Sequence, residues 1–183
     1  MRTILFFSDV NNTVTTSPVL SNEDYVRQIG DLVNKLAEVS DKYNAEQILV
    51  SFSTSFRKQK YENIEKIIGL FCEQAKLKHI PLRFSKVFMN DAVFEYGDNY
   101  QDYELAEPVV AERVIQLGNH IKELGEKGYE IIWAGYADDS YPTNEKIGEK
   151  LKLMGIDISY NGFVPTVWGI NVADENAYVS TKP

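Results

Sequence analysis

Cysteine is almost absent from this 183-residue chain. Cys72 stands alone, so no internal disulfide can form, and a reducing, cytoplasmic setting is expected. It falls in a helical pattern and is expected as a small core residue rather than a nucleophile. Histidine is nearly as scarce: His79 and His120 are far apart, both near expected helix ends, and no zinc site is expected from so few soft ligands. No stretch approaches the roughly 18 apolar residues of a membrane span. Met1-Arg2-Thr3 leads straight into the first strand with no secretory leader, so neither membrane nor secretion is expected. Positive charge is in deficit as well. Nineteen Lys and Arg against 27 Asp and Glu leave a net charge of -8, with a pI near 4.8. That balance weighs against broad electrostatic binding to nucleic acid or anionic membrane. The tight basic cluster near a candidate site is Arg57, Lys58 and Lys60.

What remains is ordinary for a globular domain: 44% hydrophobic and 25% charged residues, in a chain long enough for a full core. One domain over 1–183 is expected, and strand-like and helix-like segments alternate along it. Residues 3–8 form a continuous apolar strand. Ser21 with Asp24 reads as a capping box ahead of Tyr25, Ile29, Leu32, Leu36 and Val39 at helical spacing. Residues 47–53 read as a second buried strand. A helix follows with Tyr61, Ile64, Ile67, Ile68, Phe71 and Ala75 on one face, and Pro81 stops it. Residues 83–89 give a third strand. The polar, tyrosine-bearing stretch 90–107 reads as a loop or hairpin at the rim of the site, where Tyr96, Tyr100 and Tyr103 cover an apolar edge. Pro108 suits a first helical position, opening a helix through Val110, Val114, Leu117, Ile121 and Leu124. Residues 130–135 form a fourth strand running into Asp138-Asp139. Thr143 caps a last helix ended by Gly155, and 156–160 give a fifth strand. This order predicts a three-layer, doubly wound, mainly parallel sheet with helices on both faces, of the α/β, Rossmann-like class.

In such a sheet every strand tip followed by a helix faces one edge, and ligands collect beyond the carboxyl ends of the strands. Asp9, the Ser53-Thr54-Ser55 cluster and Asp138-Asp139 are therefore expected to converge. Each alone reads as turn or capping chemistry; together they suit a hard divalent cation, such as magnesium, and a phosphate oxygen at a helix N-terminus.

The combination resembles the haloacid dehalogenase (HAD) superfamily, whose usual reaction is phosphoryl transfer through an aspartyl intermediate. The likeness covers roughly residues 3–160. An apolar strand leads into Asp9-Val10-Asn11-Asn12-Thr13-Val14 where the family has Asp-x-Asp-x-Thr. A strand ending in Ser or Thr is matched by Ile48 to Ser53, with Thr54 as the competing register. A paired-Asp strand is matched by Ile131 to Asp139. The family's Lys or Arg motif is the poorest match, with Lys86 or Arg57 the candidates. The resemblance implies Asp9 as nucleophile and magnesium ligand, Asn11 lending its carbonyl to the metal, and Asp138 and Asp139 completing the metal shell. It also implies Ser53 or Thr54 holding the phosphoryl group, beside Asn12, Thr13 and Arg57.

Asn11 stands where the family's phosphatases carry a second aspartate as general acid and base. An amide cannot donate and recover a proton at neutral pH, and losing such a group costs about 10²–10⁴ in rate. Asn12 replaces the usual glycine, and Asn tolerates left-handed backbone. The expected protein is a nearly capless, magnesium-dependent phosphohydrolase, slow or lapsed because of Asn11. Its open site suits a phosphorylated macromolecular substrate or a partner subunit serving as lid. Two readings compete. Asp9-Val10-Asn11-Asn12 and the late acids are also similar to metal-dependent PIN/NYN ribonucleases, which need a further mid-chain acid, Glu107 or Glu112. The other is a non-enzymatic binding protein on the same scaffold.

Overall fold

The computed structural model describes residues 1–10, 14, 22–54, 61–89, 103–138, 141–153 and 160–163. Within these, residues 22, 24, 25, 61–63, 103–106, 138, 141–145 and 160–163 are placed by backbone alone. The elements run β1 (Arg2–Ser8), α1 (Asn22–Tyr43), β2 (Gln47–Thr54), α2 (Tyr61–Leu77), β3 (Leu82–Met89), α3 (Tyr103–Glu126), β4 (Glu130–Asp138), α4 (Tyr141–Leu153) and β5 (Tyr160–Phe163). All five strands are parallel, in the order β3-β2-β1-β4-β5.

The two central strands are buried on both faces, which is why they read as unbroken apolar runs. Side chains alternate across them. Ile4 and Phe6 of β1 join Ile48, Val50 and Phe52 of β2 in a core closed by Ile29, Val33 and Leu36 of α1 and Ile64 and Phe71 of α2. Leu5, Phe7 and Leu49 face the other way, against Val110, Val114 and Leu117 of α3 and Ile147 and Leu151 of α4. Each fully buried side chain of this size contributes about 1.5–3 kcal/mol relative to exposure. β3, at one edge, is only part-buried.

Parallel crossovers are right-handed. Stepping from β1 to β2 to β3 therefore puts α1 and α2 on one face. Stepping back past β1 to β4 and β5 puts α3 and α4 on the other. The direction reverses between β1 and β4, and that reversal is the topological switch point where open α/β sheets bind ligands. The three-layer, doubly wound architecture expected from the sequence is the one observed.

Local expectations differ at four places. Pro108 does not open α3: the helix begins at Tyr103, so Pro108 lies inside it. At the sixth helical position proline both forgoes the N–H that would reach the Glu104 carbonyl and crowds that carbonyl, so the helix persists through it at a cost. The stretch expected as a hairpin therefore becomes helix from residue 103, while 90–102 and its Tyr96 and Tyr100 lie outside the described residues. β5 is Tyr160–Phe163 rather than 156–160, paired with Gly135 to Asp138. Cys72 is exposed, not a core residue: the apolar stripe of α2 runs through Ile64, Ile67, Phe71 and Ala75, and Cys72 falls beside it. His120 is buried in the interior of α3 rather than at its end. Among the described residues no helix is long and apolar enough to cross a membrane.

On β4, Gly135 is required by packing. A Cβ there would lie 2.3 Å from Cη2 of Trp133, whose indole lies over the glycine.

Candidate active site at the switch point

β1 delivers Asp9 to the crevice by register. Ser8 pairs with Ala137 of β4 and with Phe52 of β2. The Asp9 N–H then donates to the Ala137 carbonyl at 2.9 Å. Asp9 thus stands beside Asp138 on one side and Ser53 on the other, with adjacent strands about 4.8 Å apart. Asp138 is placed by backbone only. Beyond Asp9, Val10 and Val14 are buried in the α1–α2 core, and the Val14 N–H donates to the Val10 carbonyl at 3.0 Å. That anchors the chain on both sides of the Asn11-Asn12-Thr13 stretch.

The alternation that sends Leu5 and Phe7 toward α3 sends Asp9 there too. Its carboxylate meets Arg113: the Nη2–Oδ1 distance is 3.3 Å, and both side chains are over nine-tenths buried. Nη1 of Arg113 donates to the Tyr136 hydroxyl at 3.0 Å, and Tyr136 is fully buried on β4. A buried ion pair is costly to desolvate and is held together by its additional hydrogen bonds.

One turn along α3, Gln116 gathers the other two tips. Its Oε1 accepts from the Ser53 hydroxyl at 3.2 Å, and its Nε2 donates to the Met89 carbonyl at 2.9 Å. Ser53 therefore shares a face with Asp9. Thr54, the competing register, follows Val50 and Phe52 toward the other face by alternation. A single helical turn, Arg113 to Gln116, thus reaches the ends of four strands.

Lys86 is placed elsewhere. Its Nζ is 3.4 Å from Glu123, and it lies 5.0 Å from the Phe88 ring centroid. Glu123 is ten residues along α3 from Arg113, about 15 Å at 1.5 Å per residue. The buried cation beside Asp9 is Arg113, which the sequence reading missed. A signal existed. Arg113 sits three residues after Val110 and four before Leu117, inside the apolar stripe of the helix preceding the paired-Asp strand. Asn11, Asn12, Thr13, Arg57 and Asp139 lie outside the described residues, and among the described residues no group of three or more His, Cys, Asp or Glu could hold a metal ion.

Of the mid-chain acids that a nuclease site would need, Glu107 is held by Lys146 and Lys150 of α4 at 2.7 and 2.6 Å. Those hydrogen bonds lower its pKa to about 2. Glu112 lies 3.4 Å from Gln116 Nε2.

Farther down α3, His120 forms a second polar cluster. Its Nε2 is 3.0 Å from the Ser51 hydroxyl and 3.3 Å from that of Ser85. The Phe88 ring packs against it edge-on at 5.2 Å. Its Nδ1 has no hydrogen-bond partner, with Glu123 at 4.0 Å. Burial lowers its pKa to about 4, against the opposing pull of Glu123, while Lys86 and Lys127 add to the depression.

No known protein-family profile matches this chain, and no curated protein matches it. Among solved structures, the HAD domain of effector protein Lem4 from Legionella pneumophila is similar. It shares 11% identity over 92% of this chain and 91% of that one, with a TM-score of 0.42. The roles assigned below rest on this chain's own geometry.

Proposed function

We propose that the chain is a HAD-type phosphohydrolase with Asp9 as nucleophile. The observation that carries this reading is a buried Asp9–Arg113 pair at the switch point, one strand away from Asp138. In the reaction a carboxylate oxygen of Asp9 attacks phosphorus, and the bond to the leaving oxygen breaks with its electron pair. Water then attacks phosphorus and gives up a proton to solvent, the bond from phosphorus to the Asp9 oxygen breaks with its electron pair on Asp9, and phosphate leaves. Arg113 offers positive charge where negative charge builds on the phosphoryl oxygens, and the Ser53 hydroxyl is the tip donor on the same face.

Hard oxygen donors at neighbouring tips suit magnesium. Asp9, the Asn11 carbonyl, Asp138 and Asp139 would hold it, and when bound it supplies charge neutralisation to the transferring group. Asn11 cannot protonate a leaving group, so activated phosphates, whose leaving oxygens need no proton, are the preferred substrates. A macromolecular aryl or acyl phosphate is the proposed physiological class. The ribonuclease reading is less well supported, because the mid-chain acid Glu107 is committed to two lysines.

The test is release of phosphate from p-nitrophenyl phosphate or acetyl phosphate with and without magnesium. The reading expects magnesium-dependent turnover abolished by Asp9→Asn and raised by Asn11→Asp. Cleavage of single-stranded RNA without phosphatase activity would transfer the site to the nuclease class.

A further inference from the structure

The geometry points to Tyr136 as a positioning residue that fixes Arg113 against Asp9, an inference that rests on the phosphohydrolase reading. Tyr136 is fully buried, and a phenol hydroxyl taken out of water is costly unless hydrogen-bonded. Packing alone at this position would be served by phenylalanine. The ring stacks on Phe7 at 5.8 Å with an interplanar angle of 28°. Phe7 is two residues before Asp9 and faces the same way, so three contacts close a circuit: Phe7 to Tyr136, Tyr136 to Arg113, Arg113 to Asp9.

The guanidinium is planar, with donors on both terminal nitrogens. Nη1 is committed to Tyr136 at 3.0 Å and Nη2 to Asp9 at 3.3 Å. With both ends held, the plane cannot turn about the Nε–Cζ bond without breaking a contact. Removing the hydroxyl takes away one of these two contacts and loosens the hold on the guanidinium beside Asp9. A misplacement of about 1 Å at a reacting centre can cost up to about 10²-fold in rate. Because the hydroxyl acts on orientation in the transition state rather than on substrate affinity, the loss falls on kcat.

Tyr136→Phe removes one oxygen and keeps the ring. We expect kcat on p-nitrophenyl phosphate to fall about tenfold with KM within twofold, and guanidinium rotation of Arg113, followed by NMR exchange, to quicken about tenfold. A lysine cannot bridge two partners as the fork does, so in an Arg113→Lys background Tyr136→Phe should add no further loss. A merely structural role would instead give additive losses. Wild-type kcat or unchanged rotation in Tyr136→Phe overturns the proposal, as do additive losses. An inert wild-type protein overturns the phosphohydrolase reading and the catalytic part of this one; unchanged rotation in an active protein overturns only the role of Tyr136.

Discussion

The two faces of the sheet are built differently. On the α1–α2 side Ile29, Val33, Leu36, Ile64 and Phe71 close over Ile4, Phe6, Val50 and Phe52, and the buried polar residues there, such as Thr54 and the α1 residues Gln28 and Ser40, are uncharged. The buried Asp, Arg and His among the described residues, Asp9, Arg113 and His120, all lie on the α3 side. One face is built to be stable. The other spends part of its burial on polar groups that must find partners, which natural proteins do chiefly at functional sites. The right-handed crossover rule explains why the polar face is this one: the helix that returns the chain past β1 to β4 is the one that overlies the switch point.

That contrast can be broken from either side. The largest effect is expected from Arg113→Met, which removes the cation beside the buried Asp9 carboxylate. Breaking one partner of such a pair costs about 3–5 kcal/mol, readable by urea unfolding, and phosphatase activity should vanish with it. Phe71→Ala is the matching lesion on the other face, where Phe71 packs edge-on to Phe52 at 5.7 Å. It should cost about 3 kcal/mol or more through lost burial and a cavity, yet leave kcat unchanged in the folded fraction. A fall in kcat equal to that of Arg113→Met would erase the distinction between the faces.

A pH titration sharpens the same contrast. His120 has a folded-state pKa of about 4, below its ordinary value of 6.5. The unfolded chain therefore binds more protons between these values, and stability must fall as pH drops from about 6.5 to 4, by on the order of 2–3 kcal/mol. In His120→Gln this slope should flatten, as followed by denaturant midpoints across pH. Gly135→Ala comes next. Its Cβ would press into the Trp133 indole, and overpacking of this kind costs about 1–3 kcal/mol, visible as a lowered melting temperature. The smallest effect is expected from Glu107→Gln. Its carboxylate, held at a pKa of about 2 by Lys146 and Lys150, stabilises above pH 4.5 and loses that contribution as pH falls toward 2. The group is solvent-exposed and screened, so the melt at neutral pH should be indistinguishable from wild type.

The sequence carried the architecture because periodicity carries it. Unbroken runs at 3–8 and 47–53 are too short for typical helices and so read as strands covered on both faces, and alternation of strand with helix leaves few topologies. Convergence of the Asp9, Ser53 and Asp138 strand tips followed from that topology. The α3 residues were less legible. Arg113 and Gln116 look like interruptions of an apolar stripe, and a helix pattern alone does not say which strand tips lie opposite. Lys86 was a candidate by residue type alone, and it pairs with Glu123, ten residues along α3 from Arg113. The start of α3 was misread because proline usually marks a helix start, whereas here the helix begins five residues before Pro108 despite the lost N–H bond.

The central claim is that Asp9 is the phosphoryl acceptor. Titrating the protein with beryllium fluoride and magnesium, with ¹⁹F NMR followed by crystallography, tests it without requiring turnover. The account predicts a bound beryllofluoride on a carboxylate oxygen of Asp9, within reach of Arg113, and its loss in Asp9→Asn. No bound species in the wild type, or binding that survives Asp9→Asn, would contradict it.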